Sequence, residues 1–319
     1  MNVGRRSVLL LAALVPLTLA LQAQAERLGF GLFGDTPYTD YERRQLPLIL
    51  DEMGQANLAF AIHDGDIKNG ASRCDDTTYR DILAVFQAAP LPLIYVPGDN
   101  EWTDCHRLLC GKYDPQERLK TLRSIFYADD NSLGQRTIVL ERQSTQAEFA
   151  AYRENVRWEA GGALFVALNM PGPDNNVGHA DEFEPRDRAN LAWLSDSFRL
   201  AREKHLAGVL IAIQANPVIE ADNEGVTKPG FKAFFDLLRD ELNRFEGQVV
   251  LVHGDTHSMQ INRPLKQRKT HVPINNFTRV ETYGSPFLGW IRATVDTSDP
   301  QVFRFETRPW RPGLPYGGE

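Results

Sequence analysis

Cysteine is scarce: three in 319 residues, at positions 74, 105 and 110. An odd count excludes a fully paired disulfide scaffold and leaves, in an oxidising compartment, one bridge and one thiol. Long apolar runs are scarcer still. Beyond Leu21 no stretch approaches the ~20 residues that span a membrane, so a bundle of membrane helices is excluded. Positive charge is in deficit: 35 Lys and Arg stand against 42 Asp and Glu, a formal charge of −7. That balance argues against nucleic acid or an anionic membrane as the main partner, and any pull on an anionic ligand must come from local cations. Internal repeats and low-complexity tracts are absent, which sets aside solenoids and disordered linkers.

The one long apolar run lies at the start. Arg5 and Arg6 precede Val8–Leu21, and Ala23-Gln-Ala25 offers small residues at a cleavage point. This order predicts a cleaved export signal over residues 1–25, a periplasmic or secreted protein, and no membrane anchor after cleavage. Losing both arginines moves the formal charge from −7 to −9. Residues 26–308 suit one large domain, and the Pro- and Gly-rich residues 309–319 read as a loose tail.

Four carboxylates carry most of the information. Phe30–Gly34 runs into Asp35, Leu58–Gly65 into Asp66, Pro92–Gly98 into Asp99, and Val249–Gly254 into Asp255 with His257 two residues on. A short apolar run closed by Gly reads as a buried strand and a tight turn. In open α/β sheets such strand ends converge on one edge, where ligands bind. Clustered carboxylates repel by about 4 kcal/mol per close pair at an effective dielectric near 20. Protons or a bound cation must relieve that repulsion, and a metal is the simplest agent.

Helical patterns over Tyr41–Met53, Asp75–Ala88 and Pro115–Phe126 alternate with the first strands, a βαβαβ unit with a parallel sheet. Thr137–Leu140, Tyr152–Trp158 and Ala163–Leu168 read as antiparallel strands, the last two joined across Gly161-Gly162. A Pro-, Gly- and Asn-rich segment over Asn169–Asp181 suits a mobile lid. Helices follow at Arg186–Lys204 and Gly230–Phe245, and strands at Gly208–Ile213, Thr278–Tyr283, Trp290–Val295 and Val302–Phe305. If the second and third strands are neighbours, the loops bearing Cys74 and Cys105 emerge together, which favours a Cys74–Cys105 bridge; a local Cys105–Cys110 loop is the rival.

The turns, in order, are Asp35-Thr-Pro-Tyr38, Gly65-Asp-Ile-Lys-Asn69, Gly98-Asp-Asn-Glu101, Gln214-Ala-Asn-Pro217 and Gly254-Asp-Thr-His257. Over about residues 28–262 this resembles the calcineurin-like metallophosphoesterase superfamily, whose pattern runs Asp-x-His, Gly-Asp-x-x-Asp, Gly-Asn-His-Asp/Glu, a His before Pro, then Gly-His-x-His. The resemblance implies an α/β fold, a two-sheet mixed sandwich flanked by helices, and metal held by Asp35, Asp66, Asp99, Asn216, Asp255 and His257, with Asp66 bridging. It also implies a small phosphorylated substrate and water activated by the metal. The chain departs from the pattern where histidines are expected: Pro37, Ala215 and Asp255 replace three, and Asn100 replaces the one beside the scissile phosphate. Gln214 and Asn216 are the amides that can stand in near Ala215. Asn100 can bind a phosphate oxygen but cannot donate and recover a proton.

An oxygen-rich set favours Mn²⁺, Mg²⁺ or Ca²⁺ over Zn²⁺, as one or two ions. The leading expectation is an exported metal-dependent hydrolase of phosphate esters; the alternative is a non-catalytic metal- or phosphate-binding protein on the same fold. His63 and His253 read as core histidines, and Tyr38 as a loop aromatic near the first motif. Lys68 is placed to meet a phosphate oxygen or to lie in a solvated loop. Arg263–Lys269 reads as a solvated turn beside the mouth.

Overall fold

The computed structural model describes residues 27–312; the expected export signal and the end of the tail lie outside the described residues. From the N-terminus come β1 (Leu28–Phe33), α1 (Asp40–Gln55), β2 (Ala61–His63), α2 (Asp76–Gln87), β3 (Leu93–Tyr95) and α3 (Pro115–Phe126). Then follow β4 (Glu141–Arg142), β5 (Val156–Ala160), β6 (Ala163–Ala167), α4 (Ala180–Glu203), β7 (Gly208–Ala212), α5 (Ile219–Asn223) and α6 (Lys232–Leu242). The described chain ends with β8 (Gln248–His253), β9 (Gln260–Asn262), β10 (Phe277–Glu281), β11 (Gly289–Val295) and β12 (Phe303–Pro309).

Helix starts follow local chemistry. Thr39 and Glu42 form a capping box on α1, and Asp75 caps α2 by accepting from Thr78 N at 3.0 Å. Asp114 caps α3, with Pro115 at its first position. Each device satisfies amides that the first turn leaves without partners.

Two mixed sheets stack. One has the order β12-β11-β1-β2-β3 and the other β4-β5-β6-β7-β8-β10-β9. The pairs β1–β2, β2–β3, β6–β7, β7–β8 and β8–β10 are parallel. Between the sheets, Phe30, Leu32 and Ile62 meet Phe165, Leu210 and Val250. Helices α1, α2 and α3 cover the five-stranded sheet through Leu50, Met53, Phe86 and Leu122. Helices α4 and α6 cover the other through Trp193, Phe198, Phe234 and Leu238. Each such side chain contributes about 1.5–3 kcal/mol by leaving water. This is the helix-flanked two-sheet sandwich that the resemblance implies.

Several boundaries differ. Thr137–Leu140 forms no strand; it makes one bridge, Asn131 to Val139, because Ile138 N and Leu140 N turn to Ser132 Oγ and Asp130 O. The strand begins instead at Glu141 and has two residues. Tyr152–Trp158 pairs only from Val156. Helix α4 starts at Ala180 rather than Arg186, carried across Pro185 by a Glu182–Arg186 pair at 2.6 Å. The segment from Pro309 is held at its start: Pro309 pairs with Gly289, and Trp310 Nε1 donates to Gln45 at 3.0 Å.

Candidate functional site

The parallel strands deliver their C-terminal ends to one edge. Asp35 follows β1, Asp64 and Asp66 follow β2, Asp99 follows β3, Gln214 follows β7 and Asp255 follows β8. Asp35, Asp66, Asp255 and His257 all have positive φ, between 45° and 75°. Short polar side chains tolerate that region best, and several together mark a place where local strain serves a purpose. Glycine is needed beside them. A Cβ on Gly34 would stand 1.5 Å from Asp64 Oδ1, and one on Gly98 would stand 2.2 Å from Asp66 Oδ1.

Asp35 is fully buried and accepts Asp255 N on both oxygens at 3.1 Å. His257 Nε2 lies 3.5 Å from Asp35 Oδ1. Its Nδ1 donates to Ser285 O at 2.6 Å, which fixes the ring with Nε2 toward the cluster. Asp66 Oδ2 accepts from Tyr38 OH and Asn100 Nδ2, both at 2.7 Å, and Oδ1 accepts from Asn100 N at 3.2 Å. Asp99 Oδ1 accepts from Gln214 Nε2 at 3.1 Å, and Asp255 Oδ2 from Asn216 N at 3.1 Å.

Electrostatics follow from this crowding. Burial, and then the charges of Asp99, Glu101 and Asp35, push Asp66 well above the usual carboxylate range. Burial raises Asp99 to about 6, with Asp104 adding to it. It raises Asp255 to about 6, with Asp99 adding. Asp35 is raised by burial against the pull of His257, and the hydrogen bond to Asp35 raises His257. Among the described residues no Lys or Arg forms an ion pair with Asp35, Asp66, Asp99 or Asp255.

The donor chemistry suits a hard cation: three buried carboxylates and the half-buried Asp255 gather with a single imidazole, and no Lys or Arg pairs with them. It does not suit a pair of ions that prefer imidazole. The rotamers, however, are closed on protein donors, and among the described residues no group of three or more His, Cys, Asp or Glu side chains is arranged to hold an ion. Metal binding here requires Asp66 to exchange its Tyr38 and Asn100 hydrogen bonds for the ion.

The expected residues do not all arrive as expected. Asn216 turns its side chain away, donating to Thr256 Oγ1 at 2.9 Å and accepting from Val218 N at 2.9 Å. The amide in the cluster is Gln214, fixed by Gly172 N on its Oε1 at 2.7 Å. Gln214 stands two residues past the end of β7 at Ala212. Tyr38 sits on Asp66 and against His257 at 5.3 Å between rings, so it is part of the site. Glu101 is a hub that sequence reading left without a role. Its Oε1 accepts Asp66 N, Gly98 N and Tyr95 OH at 2.7–2.9 Å, and burial raises it to about 7. Asp64 accepts Thr282 Oγ1 at 2.9 Å, and burial pushes it well up.

His63 is a core residue: Nε2 donates to Thr36 O at 2.9 Å, Nδ1 accepts Gly65 N, and burial lowers it to about 4. His253 is buried likewise, its Nδ1 on Gly254 O. Lys68 is buried rather than solvated, with Nζ on Asn69 O at 3.1 Å. Arg268 of the basic run pairs with Asp222 at 2.6 Å and with Asp236. The loop before α4 is tied down by Arg186 Nη1 on Asn169 O at 2.9 Å and Lys228 Nζ on Pro173 O at 2.7 Å, contrary to a free lid. Cys74 and Cys105 are bonded, and Cys110 is a buried thiol.

No protein-family model and no curated protein matches the chain in sequence. Solved structures match it in shape. It is similar to PhoD, at 11% identity and a TM-score of 0.54 over 88% of this chain and 68% of that one. It is similar to purple acid phosphatase PPD1 from yellow lupin, at 13% identity and a TM-score of 0.50 over 89% and 54%. A dimetal phosphatase from Danio rerio aligns at 13% identity and a TM-score of 0.49 over 89% and 99%. At these identities the likeness is one of fold.

Proposed function

The chain adopts the calcineurin-like metallophosphoesterase fold, and on it we propose an exported, metal-dependent hydrolase of small phosphate esters. The observation that carries this reading is the set of carboxylates at the strand ends, buried Asp35, Asp66 and Asp99 and half-buried Asp255, with which no Lys or Arg forms an ion pair among the described residues. Those four with His257 and the Gln214 amide are the residues that would hold a divalent ion; Mg²⁺, Mn²⁺ and Ca²⁺ suit so many oxygen donors. When bound, such an ion supplies Lewis acidity, an activated water and neutralisation of the phosphate charge. Asn100 binds and orients, its Nδ2 donating to Asp66 Oδ2, and it carries no proton to give. Ser285 O holds His257, and Glu101 holds the Asp66 and Gly98 amides in place. The Cys74–Cys105 bond supports an oxidising compartment, and no helix among the described residues is long and apolar enough to cross a membrane.

A specific observation favours a second reading, a non-catalytic metal- or phosphate-binding protein. Asp66 Oδ2 is occupied by both Tyr38 and Asn100, and the family's acid is missing. One screen separates the two. Purified protein is tested with each ion against phosphomonoesters and phosphodiesters, with thermal unfolding recorded in parallel. Turnover with some ion is the expected result; stabilisation by ion and phosphate without turnover establishes the binding protein.

A further inference from the structure

A trough leads away from the carboxylate cluster. It joins two cavities of about 250 and 340 Å³ that share His106, Asn176 and His179. Its inner end is Gly172, where a Cβ would stand 2.7 Å from Asp255 Oδ1. One wall is the turn Thr103–His106, anchored on the third motif: Thr103 Oγ1 and Asp104 N both donate to Asp99 O, at 3.2 and 3.0 Å. The other wall is the loop before α4, fixed by Asn175 N on Pro171 O at 3.0 Å and Asn175 Nδ2 on Gly230 O at 2.9 Å. A preformed, walled space adjoining the reacting end is where the remainder of a substrate belongs.

The lining states what that remainder is. Its acids are already engaged: Asp104 pairs with Arg107, Glu182 with Arg186, Asp114 caps α3, and Asp174 accepts Gly230 N at 3.0 Å. Two imidazoles are not. His106 Nδ1 donates to Thr103 O at 2.7 Å, which leaves Nε2 as an acceptor. The His179 ring has no partner among the described residues. No Phe, Tyr or Trp lines the trough, so the large rings that best stack on a base are missing. No Lys or Arg lines it either, so there is no clamp for a second phosphate. Imidazole and amide groups that both donate and accept match hydroxyls.

We propose that this trough is the leaving-group subsite and that it takes the alcohol of a sugar or polyol phosphate, read by His106 and His179. The proposal rests on the phosphoesterase reading above. In the reaction it serves, the bond from phosphorus to the ester oxygen breaks and a bond to a water oxygen forms. One water proton leaves on the alcohol, which occupies the trough, while phosphate remains at the carboxylate end.

The test is a titration of the histidine Cε1–H resonances of the protein with Mg²⁺ present, assigned with His106→Gln and His179→Gln. The probes are glucose 6-phosphate, adenosine monophosphate and inorganic phosphate. Saturable shifts of His106 and His179 are expected with the sugar phosphate and not with inorganic phosphate, and each Gln variant should bind the sugar phosphate about tenfold more weakly, the effect of one lost hydrogen bond. If both stay still while His257 answers to both phosphates, the phosphate site stands and the subsite is wrong. Tighter binding of adenosine monophosphate than of glucose 6-phosphate, read from these shifts, would show that the base is recognised and overturn the sugar or polyol assignment. Shifts at His106 and His179 with none at His257 keep the trough and remove the phosphoesterase reading. Silence at all three histidines removes both.

Discussion

Asn100 and Tyr38 decide what the site can do, because both close on Asp66 Oδ2 at 2.7 Å. Neither His63 nor His253 can replace the acid that Asn100 lacks, since both are fully buried. In the proposed hydrolase the transition state would then leave more charge on the departing oxygen. Rates should climb steeply with leaving-group acidity across a series of aryl phosphates, and alkyl esters that do not reach His106 and His179 should be slow. Asn100→His should flatten that slope and raise alkyl ester turnover by about 100-fold, the usual effect of a placed acid. A flat slope in the unaltered protein would contradict this. Tyr38→Phe removes one of the donors that a cation must displace, so it should tighten Mg²⁺ binding severalfold, read from thermal shift against ion concentration. Weaker binding would instead make the phenol a ligand. The four Asp were legible because each stands in a Gly-bearing turn after an apolar run. Which of the amides Gln214 and Asn216 enters the cluster, and the hub at Glu101, were not, since rotamer and closure in space decide them.

At the scale of elements, strands delivering carboxylates and helices with Asp or Thr caps could be read directly, and α3 begins and ends where the pattern places it. Thr137–Leu140 could not. Its β-branched and apolar run satisfies the pattern for a strand, but Val139 is 75% exposed and the backbone bonds to its own turn. Helix α4 hid its first turn behind Pro185, because a side-chain pair spanning the proline compensates for the lost amide. The loops after β2 and β3 do emerge together, joined by Cys74–Cys105 across 31 residues. Closing a loop of that size contributes about 3 kcal/mol in the chain-entropy model. Cys105→Ser should lower unfolding stability in urea by roughly that amount. Peptide mapping without reduction should recover the Cys74–Cys105 pair; a Cys105–Cys110 peptide would refute the pairing.

For the whole molecule, α3 is tied to the start of β5 by an ion pair between a partly buried guanidinium and a fully buried carboxylate. Arg123 on α3 donates to Glu154, just before β5, at 2.5 and 2.8 Å, and Asn169 Nδ2 adds a bond at 2.9 Å. Burial pushes the Glu154 carboxyl up, but Arg123 outweighs it and the net shift is downward. A lowered carboxylate contributes stability that is present above its unfolded value, about 4.3, and is lost as pH falls through the folded one. Glu154→Gln should therefore cost about 3 kcal/mol at neutral pH by leaving Arg123 without its partner. The difference from the unaltered protein should begin to shrink as pH falls below about 4.3 and vanish only below the lowered folded value. A penalty that persists in acid would assign the effect to packing instead.

The layered fold exists, in functional terms, to bring Asp35, Asp66, Asp99, Asp255 and His257 to one edge. Whether that edge holds metal is settled by elemental analysis of purified protein after loading with Mg²⁺, Mn²⁺ and Ca²⁺ and removal of excess ion. One ion per chain is expected with at least one of the three, lost in Asp66→Asn together with the accompanying thermal stabilisation. Substoichiometric content with all three ions, unchanged by Asp66→Asn, would contradict a metal-dependent site.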